Sequence, residues 1–183
     1  MDAAKGGDIR SFDELVGLYA DRIYSFALRL SGNPSTADDA AQETFIKVWK
    51  NRKRYDPRRD FKPWIFAIAR NAVFDIMRKK RDQTFSSLNA ADDDETIGDR
   101  IVDEAIAAAE SFDRRLLKEA LEETLLTLGP NQRAAVLLHD VEGMTFDEAG
   151  KAMGKPLNTV KSHYRRAIIE LRKKLVKKGY REP

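Results

Sequence analysis

The sequence contains no cysteine and only two histidines, His139 and His163. The absence of thiols excludes a disulfide scaffold, a cysteine nucleophile and a zinc site built on thiolates, and it is compatible with a reducing cytoplasm. The two histidines lie far apart in the pattern, so neither a metal-ligand cluster nor a nucleophile–base pair is predicted. We therefore expect a protein that is not an enzyme and that uses neither a metal nor a cofactor.

Long apolar runs are also missing. No stretch of 18 or more apolar residues is present, and no basic segment followed by an apolar one opens the chain, so we expect neither membrane insertion nor secretion. The hydrophobic content of 42% over 183 residues is enough for one large compact domain or two small ones. These features predict a cytoplasmic protein.

The net charge of +3 hides a strong segregation of charge along the chain. Residues 1–82 carry 17 Lys and Arg against 12 Asp and Glu, and residues 113–183 carry 15 against 10. Between them, residues 83–112 carry 1 against 8. Two basic blocks on either side of an acidic tether indicate two surfaces for a polyanion, and nucleic acid is the natural candidate.

Apolar spacings of three and four residues predict helices throughout. The first half contains one helix over 11–30, a second that begins at a capping box of Ser35 and Asp38 and reaches Arg52, and a third over 61–81. We predict an all-α protein of two small helical domains joined by a flexible acidic linker. The predicted boundaries are 1–82 for the first domain, 83–111 for the linker and 112–183 for a four-helix second domain.

The acidic run Asp92–Glu95 in the linker could be mistaken for a metal site. It lacks the alternation and the glycine of a calcium loop, so a solvated tether is the better interpretation.

The end of the chain has the pattern of a helix-turn-helix. Thr145 and Glu148 form a capping box for a short helix that ends at Gly154, and Asn158 is a candidate cap for the next helix. That second helix has an apolar face and a basic face, as a DNA-reading helix needs. The alternative is an ordinary helical hairpin with a solvated basic face.

Two further stretches leave alternatives open. Between Lys50 and Arg81, 12 basic residues and 3 acidic ones alternate with aromatic residues, a composition suited to binding single-stranded nucleic acid. The alternative places those aromatic rings in the core, and it is preferred for Phe66. Polar residues and Ile46 on the second helix suit a partner-docking face or a merely solvated one.

Taken in order, five segments of the chain carry a family resemblance: DDAAQETFIKVW, FKPWIFAIARNAVFDIMRKKR, the acidic linker, LLTLGPNQRAAVLLHDVEGMTFDEAGKAMG and NTVKSHYRRAIIEL. This order resembles the extracytoplasmic-function class of bacterial RNA polymerase sigma factors over nearly the whole chain. The resemblance implies a transcription initiation factor that binds core RNA polymerase and directs it to promoters by recognising −10 and −35 elements. It implies that the first domain is sigma region 2 and the second is sigma region 4.

The resemblance also implies roles for individual residues. The helix that docks on core polymerase would use Asp38, Asp39, Gln42, Glu43, Ile46 and Trp49. The −10 element would be read by Tyr55, Arg58, Arg59, Lys62, Trp64, Arg70, Asn71 and Arg78, with Tyr55 and Asn71 holding a base turned out of the non-template strand. The −35 element would be read as duplex by Asn158, Thr159, Lys161, Ser162, His163, Arg165 and Arg166.

The expected partners are core RNA polymerase, promoter DNA in duplex and single-stranded form, and an anti-sigma factor, for a protein that is monomeric when free of them. Two other hypotheses remain. One is a stand-alone helix-turn-helix transcriptional regulator, which has no need of the basic and aromatic segment over 55–81. The other is an adaptor that binds a regulator without initiating transcription, which would be expected to lose the basic reading positions retained here.

Overall fold

The computed structural model describes residue 6 and residues 8–86 and 110–180 of the 183-residue chain. All regular structure in these ranges is helical. The elements are α1 (Ile9–Ser31), α2 (Pro34–Asn51), a short 3₁₀ turn (Arg52–Arg54), α3 (Phe61–Ser86), α4 (Glu110–Leu126), α5 (Pro130–Val136), a π-helical turn (Leu137–Val141), α6 (Phe146–Met153) and α7 (Leu157–Lys177). The predicted all-α fold class is confirmed. We refer to residues 8–86 as the N-terminal unit and to residues 110–180 as the C-terminal unit.

Helix α1 is bounded by local signals at both ends. The Asp8 carboxylate accepts a hydrogen bond from the Ser11 amide, which satisfies a free N–H group of the first turn. The helix ends at Gly32, whose φ of 74° lies in the left-handed region that glycine adopts without strain. Its stripe of Leu15, Ile23, Phe26 and Leu30 is buried, as the apolar spacing predicts.

The start of α2 corrects the sequence prediction. Asn33, not Ser35, caps the helix, and its side-chain oxygen accepts from the Thr36 amide at 2.8 Å. Pro34 takes the first helical position, where its missing N–H costs nothing and its fixed φ suits the helix. Ser35 is exposed and already inside the helix, so the predicted capping box with Asp38 is wrong.

Helix α3 completes the N-terminal core. Ile65, Phe66 and Ala69 are fully buried, and the Phe66 ring meets the Phe26 ring edge to face at 5.2 Å. Burial of a phenylalanine contributes about 2–3 kcal/mol. The core interpretation of Phe66 is thus confirmed, and α3 runs to Ser86, past residue 82 where the first domain is predicted to end.

The C-terminal unit contains the four predicted helices. Val136, Ala167 and Leu171 are buried together where α5 packs against α7. Helix α7 begins at Leu157, with Pro156 at the cap position, so Asn158 lies in its first turn and is not the cap. The acidic run Asp92–Glu95 and nearly all of the predicted linker lie outside the described residues.

The two units pack directly on each other. One cluster of buried residues includes Leu30 and Phe66 from the N-terminal unit with Leu138 and Met153 from the C-terminal unit. Helix α3 lies against α6, and α1 lies against α4. No helix in the described ranges is both long enough and apolar enough to cross a membrane.

Candidate functional site

Helices α6 and α7 form the predicted helix-turn-helix. The Thr145 hydroxyl accepts from the Glu148 amide at 3.2 Å, and the Glu148 carboxylate accepts from the Thr145 amide at 2.7 Å, which confirms the capping box. Gly154 ends α6 with a φ of 61°. A Cβ at Gly150 would lie 3.0 Å from the Lys155 carbonyl oxygen, so glycine allows the turn to pass close to the helix. The turn is therefore fixed by local chemistry.

The basic face of α7 is open to solvent. Val160, Ala167 and Leu171 are buried, and they hold the opposite side of the helix against the core. Of the predicted −35 residues, Asn158, Lys161, Arg165 and Arg166 are exposed, whereas Thr159, Ser162 and His163 are half-buried. The structure therefore brings all seven residues onto the first turns of one helix. The cationic groups of Lys161, Arg165 and Arg166 are exposed there.

His163 differs electrostatically from its neighbours. Burial lowers its pKa below the ordinary value, and the positive charges of Lys155, Arg166 and Arg70 lower it further. Since protonation is disfavoured, the imidazole is neutral at pH 7 and can offer one donor and one acceptor. The influence of Arg70 is notable because that residue belongs to the N-terminal unit.

An aromatic cluster that the sequence analysis missed holds α7 in place. The His139 ring stacks on Phe146 with centroids 4.0 Å apart, and Tyr164 meets both rings edge on. The Tyr164 hydroxyl donates to the Asp140 carboxylate at 3.0 Å, and burial followed by this hydrogen bond raises the pKa of Tyr164. His139 thus packs as a structural residue, and the cluster joins α7 to α6 and to the π-helical turn.

On the N-terminal unit, the loop before α3 presents arginines at the surface. Arg58 and Arg59 are exposed, and Arg59 lies 3.8 Å from the Asp56 carboxylate. A loosely paired, exposed guanidinium gains little from such an ion pair, so it is available to phosphate.

Tyr55, in contrast, is packed inside this loop. The residue is 6% exposed, and its hydroxyl donates to the Arg59 carbonyl oxygen at 2.5 Å. The ring contacts Phe61 at 5.5 Å and the half-buried Trp64 at 5.0 Å. In this conformation the face of Tyr55 is not presented for stacking on a base, which sequence periodicity could not reveal for a loop residue.

Along α3, the predicted reading residues have different environments. Asn71 is exposed, and Arg78 is exposed with an ion pair to Asp75 at 3.0 Å. Arg70 is buried, and burial lowers its pKa. Its guanidinium lies over the Phe74 ring at 4.2 Å.

Two of these basic residues contact the C-terminal unit. Arg70 donates to the Asn71 side chain at 3.2 Å and to the Asn131 side chain at 3.0 Å. The Lys62 ammonium donates to the Glu142 carbonyl oxygen. Asn131 and Glu142 were not singled out by the sequence analysis, because contacts between distant segments leave no periodic signal.

The predicted partner-docking residues lie along α2. Asp38, Asp39 and Gln42 are exposed, Glu43 pairs with Lys47 at 3.3 Å, and Ile46 is 47% exposed.

The C-terminal end of the exposed face of α2 lies beside an apolar groove. Trp49 packs on Phe12 at 4.9 Å, and Arg52 lies over the Trp49 ring at 3.9 Å. A shallow groove of about 350 Å³ opens there, lined by Ile9, Phe12, Phe45, Ile46, Trp49 and Lys50. A polar helix turn followed by an apolar groove suits a protein partner.

No group of three or more potential metal ligands occurs within the described ranges. The chemistry of the surface is that of recognition: exposed cations on α7 and before α3, an exposed amide at Asn71, and an acidic helix face on α2.

Family comparisons divide the chain in the same way as the structure. Residues 15–83 match the model described as Sigma-70 region 2, and residues 118–171 match Sigma-70, region 4. The ECF RNA polymerase sigma factor SigW of Bacillus subtilis is 30% identical over 172 residues, which cover 93% of this chain and 92% of that protein. SigE of Mycolicibacterium smegmatis, also an ECF RNA polymerase sigma factor, is 36% identical over 91% of this chain, but the match spans 62% of SigE.

Solved structures share the fold. The sigma factor RpoE of Bartonella quintana, crystallised with the anti-sigma factor NepR, superposes with a TM-score of 0.74 at 23% identity. That superposition covers 91% of this chain and 97% of the RpoE chain.

Proposed function

This chain belongs to the ECF family of RNA polymerase sigma factors, and from that premise we propose that it binds core RNA polymerase and directs it to promoters through a −10 and a −35 element. The observation that carries the proposal is the presence of one exposed basic surface on each matched region. These surfaces are the α7 face around Arg166 and the loop around Arg58. A protein that read a single duplex site would need only the first of them.

The C-terminal unit reads the −35 element as duplex in the major groove. Helix α7 is anchored by buried apolar residues, so its exposed side chains are held in register. Arg and Lys bind guanine edges and phosphates, and Lys161, Arg165 and Arg166 are the groups placed to do so. The neutral His163 supplements them with a hydrogen bond rather than a charge.

The N-terminal unit reads the −10 element and promotes opening by capturing a flipped non-template base. The exposed Asn71 amide supports the proposal, because an amide can pair with a base edge, and Arg58 and Arg59 can hold neighbouring phosphates. Stacking of the base on Tyr55 requires the loop over 52–60 to move, since the ring is buried in this conformation. Capture offsets an unstacking cost of a few kcal/mol, so opening needs no hydrolysis by this subunit.

The acidic face and apolar groove of α2 dock on core polymerase. Exposed Asp38 and Asp39 suit a basic partner surface, and Ile46 beside the groove supplies apolar area. We further propose an anti-sigma factor as a partner in the cytoplasm, because RpoE of similar fold was crystallised with one. The chain acts as a binding subunit and not as an enzyme.

The test is to add the protein to core RNA polymerase and measure association, open-complex formation and specific transcripts. We expect transcripts that start at defined promoters and depend on the added protein. Tight binding to a duplex site by the protein alone, with no association with core, would show a stand-alone helix-turn-helix regulator instead. Core association without any transcript would show an adaptor.

Single substitutions separate the two reading surfaces. Asn71→Ala is expected to reduce open-complex formation by about tenfold, because one base contact is lost, with core affinity unchanged. Arg166→Ala is expected to weaken binding to the upstream duplex by about 1–3 kcal/mol, again with core affinity unchanged. Lys173→Ala, an exposed basic residue farther along α7, is the control for charge loss. Equal losses of core affinity in Asn71→Ala and Arg166→Ala would refute the assignment.

A further inference from the structure

Helix α7 continues past the segment that the family comparison covers. The region 4 match ends at residue 171, whereas α7 runs to Lys177. Residues 172–177 contain 4 Lys and Arg and no Asp or Glu, and we refer to them as the basic extension of α7. The predicted −35 residues end earlier, at Arg166. The basic extension therefore adds positive charge to the reading helix beyond the residues that read bases.

The lysines of the basic extension lie on two sides of the helix. Lys174 is turned back toward the rest of the C-terminal unit, where its ammonium lies 2.9 Å from the Glu170 carboxylate and donates to the Thr127 hydroxyl at 2.7 Å. Lys173 and Lys177 are exposed. Neighbouring lysines in one turn thus have different environments.

The exposed lysines continue the line of a reading residue. Lys173 follows Arg166 by seven positions and Lys177 follows it by eleven. At about 100° per residue, the three side chains lie within about 40° of one another around the helix axis. Arg172 stands in the same relation to Arg165, seven positions apart. The basic face of the first turns therefore extends along the whole of α7.

Stabilisation of the helix C-terminus does not account for this line. Cations there interact favourably with the helix dipole, but the effect falls off within the last turn. The basic residues of that turn are Lys174 and Lys177, and Lys173 lies before it. An anion outside the chain explains the outward line better than the helix dipole does.

The length of α7 places the basic extension at the border of the major groove. The helix axis between Asn158 and Arg166 is about 12 Å long, which matches the width of the groove. Lys177 lies roughly 16 Å farther along the same axis. A helix that fills the groove with its first turns carries its later turns over the bordering backbone, as the C-terminal end of the reading helix does in homeodomains.

We propose, building on the proposed function, that the basic extension of α7 binds the sugar–phosphate backbone that flanks the −35 element. Lys173 and Lys177 supply ammonium groups to phosphates, which fixes the register of the helix without reading bases. Such contacts release counterions, so the affinity that they add depends on salt and not on sequence. The duplex footprint of α7 is therefore longer than its base-reading turns alone would cover.

Exposed apolar side chains on α7 define the competing interpretation. Ile169 is 58% exposed and Val176 is 50% exposed. An apolar ridge flanked by cations would suit an acidic protein surface. Duplex phosphate is favoured because Lys173 and Lys177 continue the line of Arg166 on one rigid helix, so DNA bound at Arg166 runs on toward them.

The first experiment measures binding of the full chain to a labelled duplex of about 30 base pairs and mixed sequence, from about 50 to 200 mM salt. We expect Lys173→Gln and Lys177→Gln each to reduce the slope of log K against log[salt] by about 0.9, and the double variant to reduce it by about 1.8. At 0.1 M salt this slope corresponds to about an eightfold loss of affinity per contact.

Lys174→Gln is the matched control, because it removes the same charge from the same turn but on the packed side of the helix. We expect it to leave the salt slope unchanged. Because a phosphate carries no sequence information, Lys173→Gln should weaken binding to promoter and mixed-sequence duplexes equally. Arg166→Ala should instead lower the preference for the promoter duplex.

The second experiment locates the contact with two duplexes from a promoter that the protein transcribes with core. One duplex ends close to the −35 element, and the other extends about ten base pairs beyond it on each side. The natural chain is expected to lose affinity on the shorter duplex, whereas the double variant should bind both with similar affinity. Equal losses in the natural chain and the double variant would overturn the assignment to flanking phosphates.

The salt slopes decide between the possible ligands. Slopes that stay unchanged in Lys173→Gln and Lys177→Gln, or that fall equally in Lys174→Gln, would overturn the inference. Unchanged slopes together with weaker core binding would assign the face to an acidic protein surface instead. Absence of binding to any duplex at 50 mM salt would also overturn it. Absence of transcripts from the natural chain with core would defeat the proposed function while leaving the salt slopes intact.

Discussion

The Arg133 guanidinium lies among three main-chain carbonyl oxygens, those of Leu30, Leu126 and Leu128. Leu30 is in the last turn of α1 and Leu126 ends α4, so the cation also faces the partial negative charge of two helix C-termini. Burial lowers the pKa of Arg133 below its ordinary value, but a guanidinium remains charged at physiological pH. The Arg133 side chain thus donates hydrogen bonds to main-chain carbonyl oxygens of both units.

We expect Arg133→Met to lower the free energy of unfolding by about 3 kcal/mol, because buried carbonyls lose charge-assisted hydrogen bonds. The free energy of unfolding of Arg133→Lys should lie between those of the natural chain and Arg133→Met, since an ammonium cannot reproduce the planar fork of the guanidinium. Chemical denaturation measures the effect, with the exposed Arg165→Met as control, for which we expect a change within about 0.5 kcal/mol. If Arg133→Met were as stable as the natural chain, the hydrogen bonds of Arg133 would not stabilise the fold as proposed.

Tyr55 has a structural role in this conformation beside its proposed role on DNA. We expect Tyr55→Ala to cost about 3–5 kcal/mol of folding stability, because a buried ring leaves a cavity beside Phe61 and Trp64. Tyr55→Phe keeps the ring but removes the hydroxyl that donates to the Arg59 carbonyl oxygen, and it should cost about 1 kcal/mol. Urea denaturation of both variants checks the prediction. Equal stabilities for the alanine and phenylalanine variants would show that the ring is not packed as described.

At the scale of one element, α6 depends on its cap. The Glu148 pKa is lowered, first by the hydrogen bond from the Thr145 hydroxyl and then by that from the Thr145 amide. The Glu148 carboxyl has a higher pKa in the unfolded chain than in the folded one, so the ionised carboxylate stabilises the fold above about pH 4.5. This contribution is lost as the pH falls through the pKa of Glu148 in the folded state. Glu148→Gln should therefore flatten the decline in stability on acidification below pH 4.5, relative to the natural chain.

The other half of the capping box is the neutral Thr145 hydroxyl, and its removal tests the stability of α6 without changing the charge of the chain. Thr145→Ala should cost about 1 kcal/mol, since the Glu148 amide loses its acceptor. Thermal unfolding at pH 7 measures it, and Ser35→Ala is the control, because Ser35 lies inside α2 and does not cap it. A larger loss in the control would mean that Asn33 is not the cap of α2.

Local signals made some elements predictable and left others open. The capping box of α6 and its end at Gly154 follow from neighbouring residues alone. At α2, Asn33 and Ser35 both resemble caps, and only the preference of Pro34 for the first helical position decides between them. Burial of Tyr55 and Arg70 depends on rings and amides brought from distant segments, and a single sequence holds no periodic trace of such contacts.

At the scale of the whole molecule, the packing of the two units on each other determines how they should unfold. Leu30, Phe66, Leu138 and Met153 share one buried cluster, so the loss of one unit exposes apolar surface of the other. Units that share a core in this way unfold as one cooperative transition. Units that are merely tethered would each unfold at their own stability.

The distribution of tryptophan makes this testable. Both tryptophans, Trp49 and Trp64, lie in the N-terminal unit, so their fluorescence reports that unit, whereas far-ultraviolet circular dichroism reports the helices of both. We expect the two signals to change at the same denaturant concentration in the natural chain. In Arg22→Glu they should separate, because the buried Glu142 carboxylate then opposes docking of the units. Lys151→Glu, which breaks an exposed pair within α6, should leave them coincident. Separate transitions in the natural chain would mean that the contact between units contributes no measurable stability.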